Sequence, residues 1–263
     1  GREKIMSRVP FCWEEGHRLL GIDAVNEPMP VRPTAHYSMG GIPTNTDGRV
    51  LASRDSLVDG LFAAGECACV SVHGANRLGS NSLLECVVYG RRTGAAIAEF
   101  VEGRKLPDIE EERYLKEARA KIQGLLDHSG EYRINFLREQ FQDAMSQHCG
   151  VFRSQDLMEQ GFERLEQLQQ QYQQVYLDDR GKLWNTEIIE ALELRSIIVV
   201  GETILSSALS RKESRGAHSR EDFTERNDQD FLRHTLAYYS LAGIDIGYRP
   251  VTISMFEPKE RKY

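Results

Sequence analysis

The chain has 263 residues, with 40 acidic against 33 basic side chains and a formal charge of -7. That balance excludes a basic surface for coating duplex nucleic acid. Hydrophobic residues make up 40% and are scattered, and no apolar run approaches the roughly 20 residues that a bilayer span requires, so membrane contact is expected only through a partner. The start, G-R-E-K-I-M, is neither a signal peptide nor a natural initiator, which suggests a chain cut from a longer one. Five cysteines without a framework spacing read as reduced, cytosolic thiols.

In chain order, residues 1 to about 20 predict a leading helix with Ile5, Met6, Val9, Trp13 and Leu19 as its apolar face. From Ile22 to Ala68 the pattern shortens to strand-length runs, and Asp47-Gly48 marks a tight turn between strands. Cys67, Cys69 and Cys86 lack metal-ligand spacing; small buried thiols near a strand end are the expectation, and no metal site is assigned. A helix is predicted from Asn81 to about Glu102, with Gly90 and Gly94 either a close-packing face or two tolerated glycines.

Pro107 and the acidic group Asp108 to Glu112 mark a boundary, beyond which the sequence turns helical. Three stripes predict core faces: Tyr114, Ala118, Ile122 and Leu125; Ile134, Leu137, Phe141 and Met145; and Met158, Phe162, Leu165, Leu168 and Tyr172. The glutamines from Gln167 to Gln174 are a solvated face of the third helix. A turn at Asp178 to Gly181 leads to a last long helix from Asn185 or Thr186, whose periodicity ends near R-K-E-S-R-G-A-H, Arg211 to His218. In that run Gly216 reads as a left-handed helix cap and the charges as a structural network rather than direct catalysis. Strand-like pieces, Tyr248 to Met255, and a charged tail close the chain.

Three segments carry the chemistry. Arg32 to Gly41 reads R-P-T-A-H-Y-S-M-G-G, Gly60 to Ala68 reads G-L-F-A-A-G-E-C-A, and His73 to Leu83 reads H-G-A-N-R-L-G-S-N-S-L. Arg77, set among glycines ahead of Ser80, Asn81 and Ser82, places a carboxylate-gripping fork beside a helix N-terminus. Alone, Arg77 would read as a surface ion pair, His36 as a structural histidine and Glu66 as a loop acid. Small residues around the first two change that reading, because ligand and backbone can approach closely there. Glu66, at a strand end, suits a ribose-like diol.

Together these segments resemble the flavoprotein subunit of succinate dehydrogenase and fumarate reductase, with motif matches over about residues 20 to 103 and 186 to 234. The resemblance implies FAD as cofactor, held by His36, Tyr37, Glu66, Arg77, Ser82 and Leu83, and a succinate or fumarate dicarboxylate held by His36 and Arg77. It implies an α/β flavin-binding domain portion (1–106), an α-helical domain (107–215) and a small C-terminal α+β region (216–263). It further implies an iron–sulfur partner subunit, electron flow to a membrane quinone, a membrane anchor reached only indirectly and a cytoplasmic location on the inner face of the membrane. No G-x-G-x-x-G follows a strand here, and the family's proton-transferring arginine is expected upstream, so this stretch alone is expected neither to hold FAD tightly nor to turn over. L-Aspartate oxidase shares H-Y-x-M-G-G and H-G-A-N-R-L, but Gly79, Ala217 and T-E-R-N-D-Q-D-F-L-R-H-T-L fit the succinate/fumarate branch better. A non-catalytic module that docks an iron–sulfur protein is the remaining alternative.

Overall fold

The structure, a computed structural model, describes residues 1–31, 36–53, 56–105, 107–240 and 242–259. They form two compact units, Gly1–His36 and Tyr37–Tyr263. In the first, the predicted leading helix is two helices, α1 (Arg2–Arg8) and α2 (Pro10–Leu20). Pro10 has no N–H to continue α1 but a fixed φ that suits the first position of α2, so the break falls at Val9. Trp13 Nε1 donates to Asp23 Oδ1 at 2.8 Å and folds the following turn back onto α2. Ile5, Met6 and Trp13 are half-buried as expected, whereas Val9 and Leu19 are exposed. The strand pattern read from Ile22 onward starts only at Ile42; Ile22 to Val31 is turn and irregular chain.

The second unit opens with four short strands, β1 (Ile42–Pro43), β2 (Arg49–Leu51), β3 (Leu57–Phe62) and β4 (Ala68–Cys69). β1 lies parallel to β4, and β2 antiparallel to β3. The predicted turn at Asp47-Gly48 is present: Asn45 Oδ1 accepts the N–H groups of Asp47 and Arg49, both at 3.0 Å. Gly41 permits the β1–β4 approach, because at φ 109° a Cβ there would sit 2.5 Å from the Cys67 carbonyl oxygen. α3 (Asn81–Val101) follows and packs its C-terminal end on β3 through Phe100, edge-on to Phe62 at 5.5 Å. Gly90 and Gly94 have no heavy atom close to where a Cβ would stand, so they are tolerated glycines and not a packing face. Cys67 and Cys86 are exposed and Cys69 half-buried, which corrects the expectation of buried thiols.

The helical part comprises α4 (Glu111–Asp127), β5 (Tyr132–Arg133), α5 (Ile134–His148), β6 (Phe152–Arg153), α6 (Gln155–Tyr172), β7 (Val175–Tyr176) and α7 (Thr186–Ser210). Its core joins Leu137 of α5, Met158, Leu165 and Leu168 of α6, and Leu194, Ile198 and Leu205 of α7. Ser154 and Asn185 cap α6 and α7, accepting the N–H groups of Leu157 and Ile188. The second and third stripes are therefore core. The first is not: Tyr114, Ala118 and Ile122 are exposed, and α4 reaches the core only at its end, through Leu125 and Leu126.

The chain closes with β8 (Ser219–Arg220), a short α8 (Asp228–Phe231), and the antiparallel hairpin of β9 (Arg233–Ser240) and β10 (Gly243–Pro250). The strand predicted at Tyr248 to Met255 lies earlier, ending at Pro250. β6 pairs with β8 and β5 with β7, both parallel, so each two-residue strand ties a late segment to a helix start. Arg220, buried at 1% exposure, reaches the carbonyls of Ala208, Leu209 and Arg211 at 3.3–3.4 Å and forms a bidentate pair with Asp222 at 2.6 Å. It answers the C-terminal carbonyls of α7, where a cation is favoured. Asp222 in turn accepts the Gln155 N–H at the start of α6.

Gly216 is left-handed at φ 59° but does not cap α7, which ends at Ser210. It sits in the turn that pairs Arg215 with His218. The Ala217 N–H donates to the Ala75 carbonyl at 3.0 Å, and a Cβ on Gly216 would stand 2.6 Å from the same oxygen. The turn is held from below by Glu213, fully buried, which pairs with Arg211 at 2.5 Å and Arg215 at 2.9 Å and accepts the Asn227 N–H at 3.0 Å. Burial pushes its carboxyl upward, but the hydrogen bonds from Arg215, Asn227 and Arg211 win and hold it below the usual carboxylate range. The charged run is a structural network, as read from the sequence.

Two outcomes follow. Gly216→Ala should lower stability by about 2 kcal/mol or more in urea titration, combining left-handed strain with the clash on Ala75. Burial lowers the His218 pKa to about 4, and the Arg220 hydrogen bonds lower that of Asp222 to about 2. Both groups are less protonated in the folded state than in the unfolded one, so acid favours unfolding. The His218 contribution is complete above about pH 6.5 and is lost down to about pH 4; that of Asp222 is lost between about pH 4 and pH 2. Stability measured from pH 7 to 5 should therefore fall, and His218→Asn should flatten that fall.

Candidate functional site

The residues singled out around the His73–Leu83 segment converge at the start of α3. Ser80, the N-cap, adopts a left-handed conformation (φ 67°) and gives no side-chain cap to the first turn. The amides of Ser82 and Leu83 thus belong to a helix start that is open to an outside acceptor, with the positive end of the helix dipole behind it. Ser82 is half-buried and the Leu83 side chain is exposed.

Arg77 lies on the loop just before. Its guanidinium stacks on the Tyr37 ring, 4.8 Å from the centroid, and Nη1 donates back to the Leu78 carbonyl at 3.0 Å. Its Nε is buried and without a hydrogen-bond partner. A guanidinium held on an aromatic face with a donor uncommitted is preorganised to take a planar anion.

Beneath it sits a carboxylate that sequence reasoning missed. Glu85, in the second turn of α3, is 5% exposed. Its Oε2 accepts from the Tyr37 hydroxyl and, at 2.6 Å, from His73 Nε2. The His73 ring meets the Tyr37 ring edge-on, 5.2 Å between centroids, and its Nδ1 is buried without a partner. Burial and the Glu85 carboxylate both push the Tyr37 phenol well above its ordinary pKa, so the hydroxyl stays a donor. The available signal was a single acid inside the apolar run S-L-L-E-C-V-V, which must be paired if that helix face is buried.

Glu66, exposed, follows the small-residue segment after β3, and its Oε1 accepts the Ser38 N–H at 3.0 Å. It thereby ties the chain just after Tyr37 to the segment that leads into β4. His36 is the last residue of the first unit and is exposed; Arg32 to Ala35, the start of its motif, lie outside the described residues. The structure thus brings Tyr37, Glu66, Arg77, Ser82 and Leu83 into one unit, and adds His73 and Glu85. Arg77 Nε, a buried donor without a partner, sits on the loop beside an open helix N-terminus, and this donor set fits an electron-rich ring edge and a carboxylate; His73 Nδ1, on the same loop, is a buried acceptor without a partner, because Nε2 donates to Glu85. Among the described residues no cluster of His, Cys, Asp and Glu could hold a metal ion.

Comparison with known proteins matches two family models, an FAD binding domain over residues 1–83 and a fumarate reductase flavoprotein C-terminal region over residues 138–263. A succinate dehydrogenase flavoprotein subunit of Rickettsia bellii is 40% identical over 257 residues, covering 96% of this chain and 43% of the relative. A fumarate reductase flavoprotein subunit of Haemophilus influenzae is 38% identical, covering all of this chain and 43% of the relative. Among solved structures, an E. coli quinol fumarate reductase matches with a TM-score of 0.86 at 38% identity, covering 99% of this chain and 44% of that one. The chain therefore spans less than half the length of these relatives. It belongs to the succinate dehydrogenase and fumarate reductase flavoprotein subunit family.

Proposed function

We propose that this chain is the C-terminal part of an FAD-dependent oxidoreductase subunit that interconverts succinate and fumarate. Residues 1–106 would be the closing portion of its FAD-binding and substrate domain, 107–215 its helical domain and 216–263 a small C-terminal region. The observation that carries the reading is Arg77: stacked on Tyr37, with a buried donor uncommitted, on the loop that opens the α3 N-terminus.

In this reading Arg77 grips one substrate carboxylate through two parallel hydrogen bonds, and His36 donates to the other. Ser82 and Leu83 offer backbone N–H groups to the pyrimidine edge of the flavin, with the helix dipole favouring negative charge there. Tyr37 lies along the ring system, and Glu66 serves the ribose end. FAD, when bound, supplies the hydride acceptor and donor. Electrons pass onward through an iron–sulfur subunit to a membrane quinone. No described helix is long and apolar enough to cross a membrane, and the proposed attachment, peripheral on the cytoplasmic face, runs through partner subunits. Nucleic acid has no part in the scheme.

The direct test is the anaerobic visible spectrum of the full-length protein. Flavin absorbance should bleach with succinate and not with L-aspartate; bleaching by aspartate alone would reassign the chain to an aspartate-oxidising flavoenzyme. Arg77→Lys should reduce kcat/KM for succinate by about 100-fold or more, since an ammonium cannot reproduce the planar fork. Unchanged steady-state kinetics in that variant would remove Arg77 from the site.

A further inference from the structure

We propose that Glu85 is a positioning residue for the dicarboxylate clamp, a role that rests on the function proposed above. Its buried carboxylate holds the Tyr37 ring under the Arg77 guanidinium without touching substrate. Three segments meet at this one side chain. Tyr37 follows His36, His73 and Arg77 share the loop before α3, and Glu85 stands on α3 itself. The Arg77 cation rests on the face of the Tyr37 ring, and that ring is fixed at its hydroxyl by Glu85 and along its edge by His73.

A carboxylate with 2% of its side chain exposed is tolerated only with hydrogen-bond donors. Here both donors converge on one oxygen, Oε2. Removing that acceptor leaves the Tyr37 hydroxyl and the His73 Nε2 without their partner in a buried setting, so the ring beneath Arg77 must shift. The cation aimed at the substrate thus takes its position from an anion one helical turn behind the open N-terminus. Because the two donors share a single oxygen, a glutamine amide oxygen can accept both. A leucine can accept neither.

The experiment uses the full-length flavoprotein in its complex, titrated with malonate and followed by the flavin difference spectrum. Malonate has a single carbon between its carboxylates, so it occupies a dicarboxylate clamp but cannot form the alkene. Flavin content is measured in parallel, because a merely structural lesion would lower it without altering the affinity of the molecules that keep FAD. Glu85→Leu should raise the malonate Kd by about 10-fold or more at unchanged flavin content, and Glu85→Gln should stay within about 3-fold of wild type. Should Glu85→Leu lose its flavin, Tyr37→Phe decides, since it deletes only the hydroxyl; a rise of about 3-fold or more is expected there. A normal wild-type response with unchanged Kd in flavin-replete Glu85→Leu, or in Tyr37→Phe, overturns this proposal alone, as does a Glu85→Gln variant as weak as Glu85→Leu. A wild-type protein that ignores malonate overturns the dicarboxylate reading and this proposal together.

Discussion

A 25-residue helix leaves its last carbonyls without partners inside the helix, and the way α7 meets that demand organises the rest. Arg220 is drawn in to answer three of those carbonyls, and its charge is balanced by Asp222, which also serves the start of α6. With Arg220 and β8 fixed, the chain between α7 and β8 has to turn tightly, and it does so at Arg215–His218. His218 is held neutral within that turn: Arg153 donates to its Nδ1, which leaves Nε2 to carry the proton and donate to the Arg211 carbonyl. The outer side of the same turn bears on Ala75, two residues before Arg77. A requirement for helix termination thereby becomes a constraint on the loop that carries the candidate substrate cation.

The two buried carboxylates divide the electrostatics differently. Glu213 is surrounded by two arginines and a backbone N–H, so its charge is consumed within the scaffold. Glu85 receives only neutral donors or a titratable histidine, and the nearby arginine stacks on Tyr37 instead of pairing with it. Arg77 therefore keeps donor capacity that a salt bridge to Glu85 would have taken. A cation kept close to an anion, but separated from it by an aromatic ring, is ordered without being neutralised by contact.

What could be read from the sequence follows the same physics. α6 was legible because its stripe is continuous, and α7 because Asn185, its cap, stands where the helical pattern begins. The stripe of α4 has the same spacing yet stays exposed, since periodicity reports a face and not whether a neighbour covers it. The break at Pro10 was hidden by apolar residues in register on both sides of it. Arg77, Tyr37, Glu66 and the α3 start were visible as glycine-flanked motifs, whereas Glu85 became visible only when folding placed its carboxylate between two segments separated by 35 residues. Gly216 showed its left-handed conformation in sequence but not its purpose, because Ala75 lies far from it along the chain.

On the proposed reading, Arg77 grips a carboxylate, a group that succinate and fumarate share. Interactions common to both ends of a reaction stabilise both alike and leave their equilibrium unchanged. Any bias between oxidation and reduction on this part of the protein must therefore come from elements that respond to electron density, not to carboxylates. The α3 N-terminus is the one singled out here: uncapped by Ser80, with its dipole directed at the ring edge that Ser82 and Leu83 would hold, it favours added negative charge. Glu85 lies one turn further along the same helix and contributes an opposing field. The helix thus carries both signs within two turns, so toward a flavin held there the dipole would favour the reduced ring and the carboxylate would oppose it. On the proposed reading, the loop before the helix would grip the dicarboxylate, and the first two turns of α3 would act on the charge of the ring.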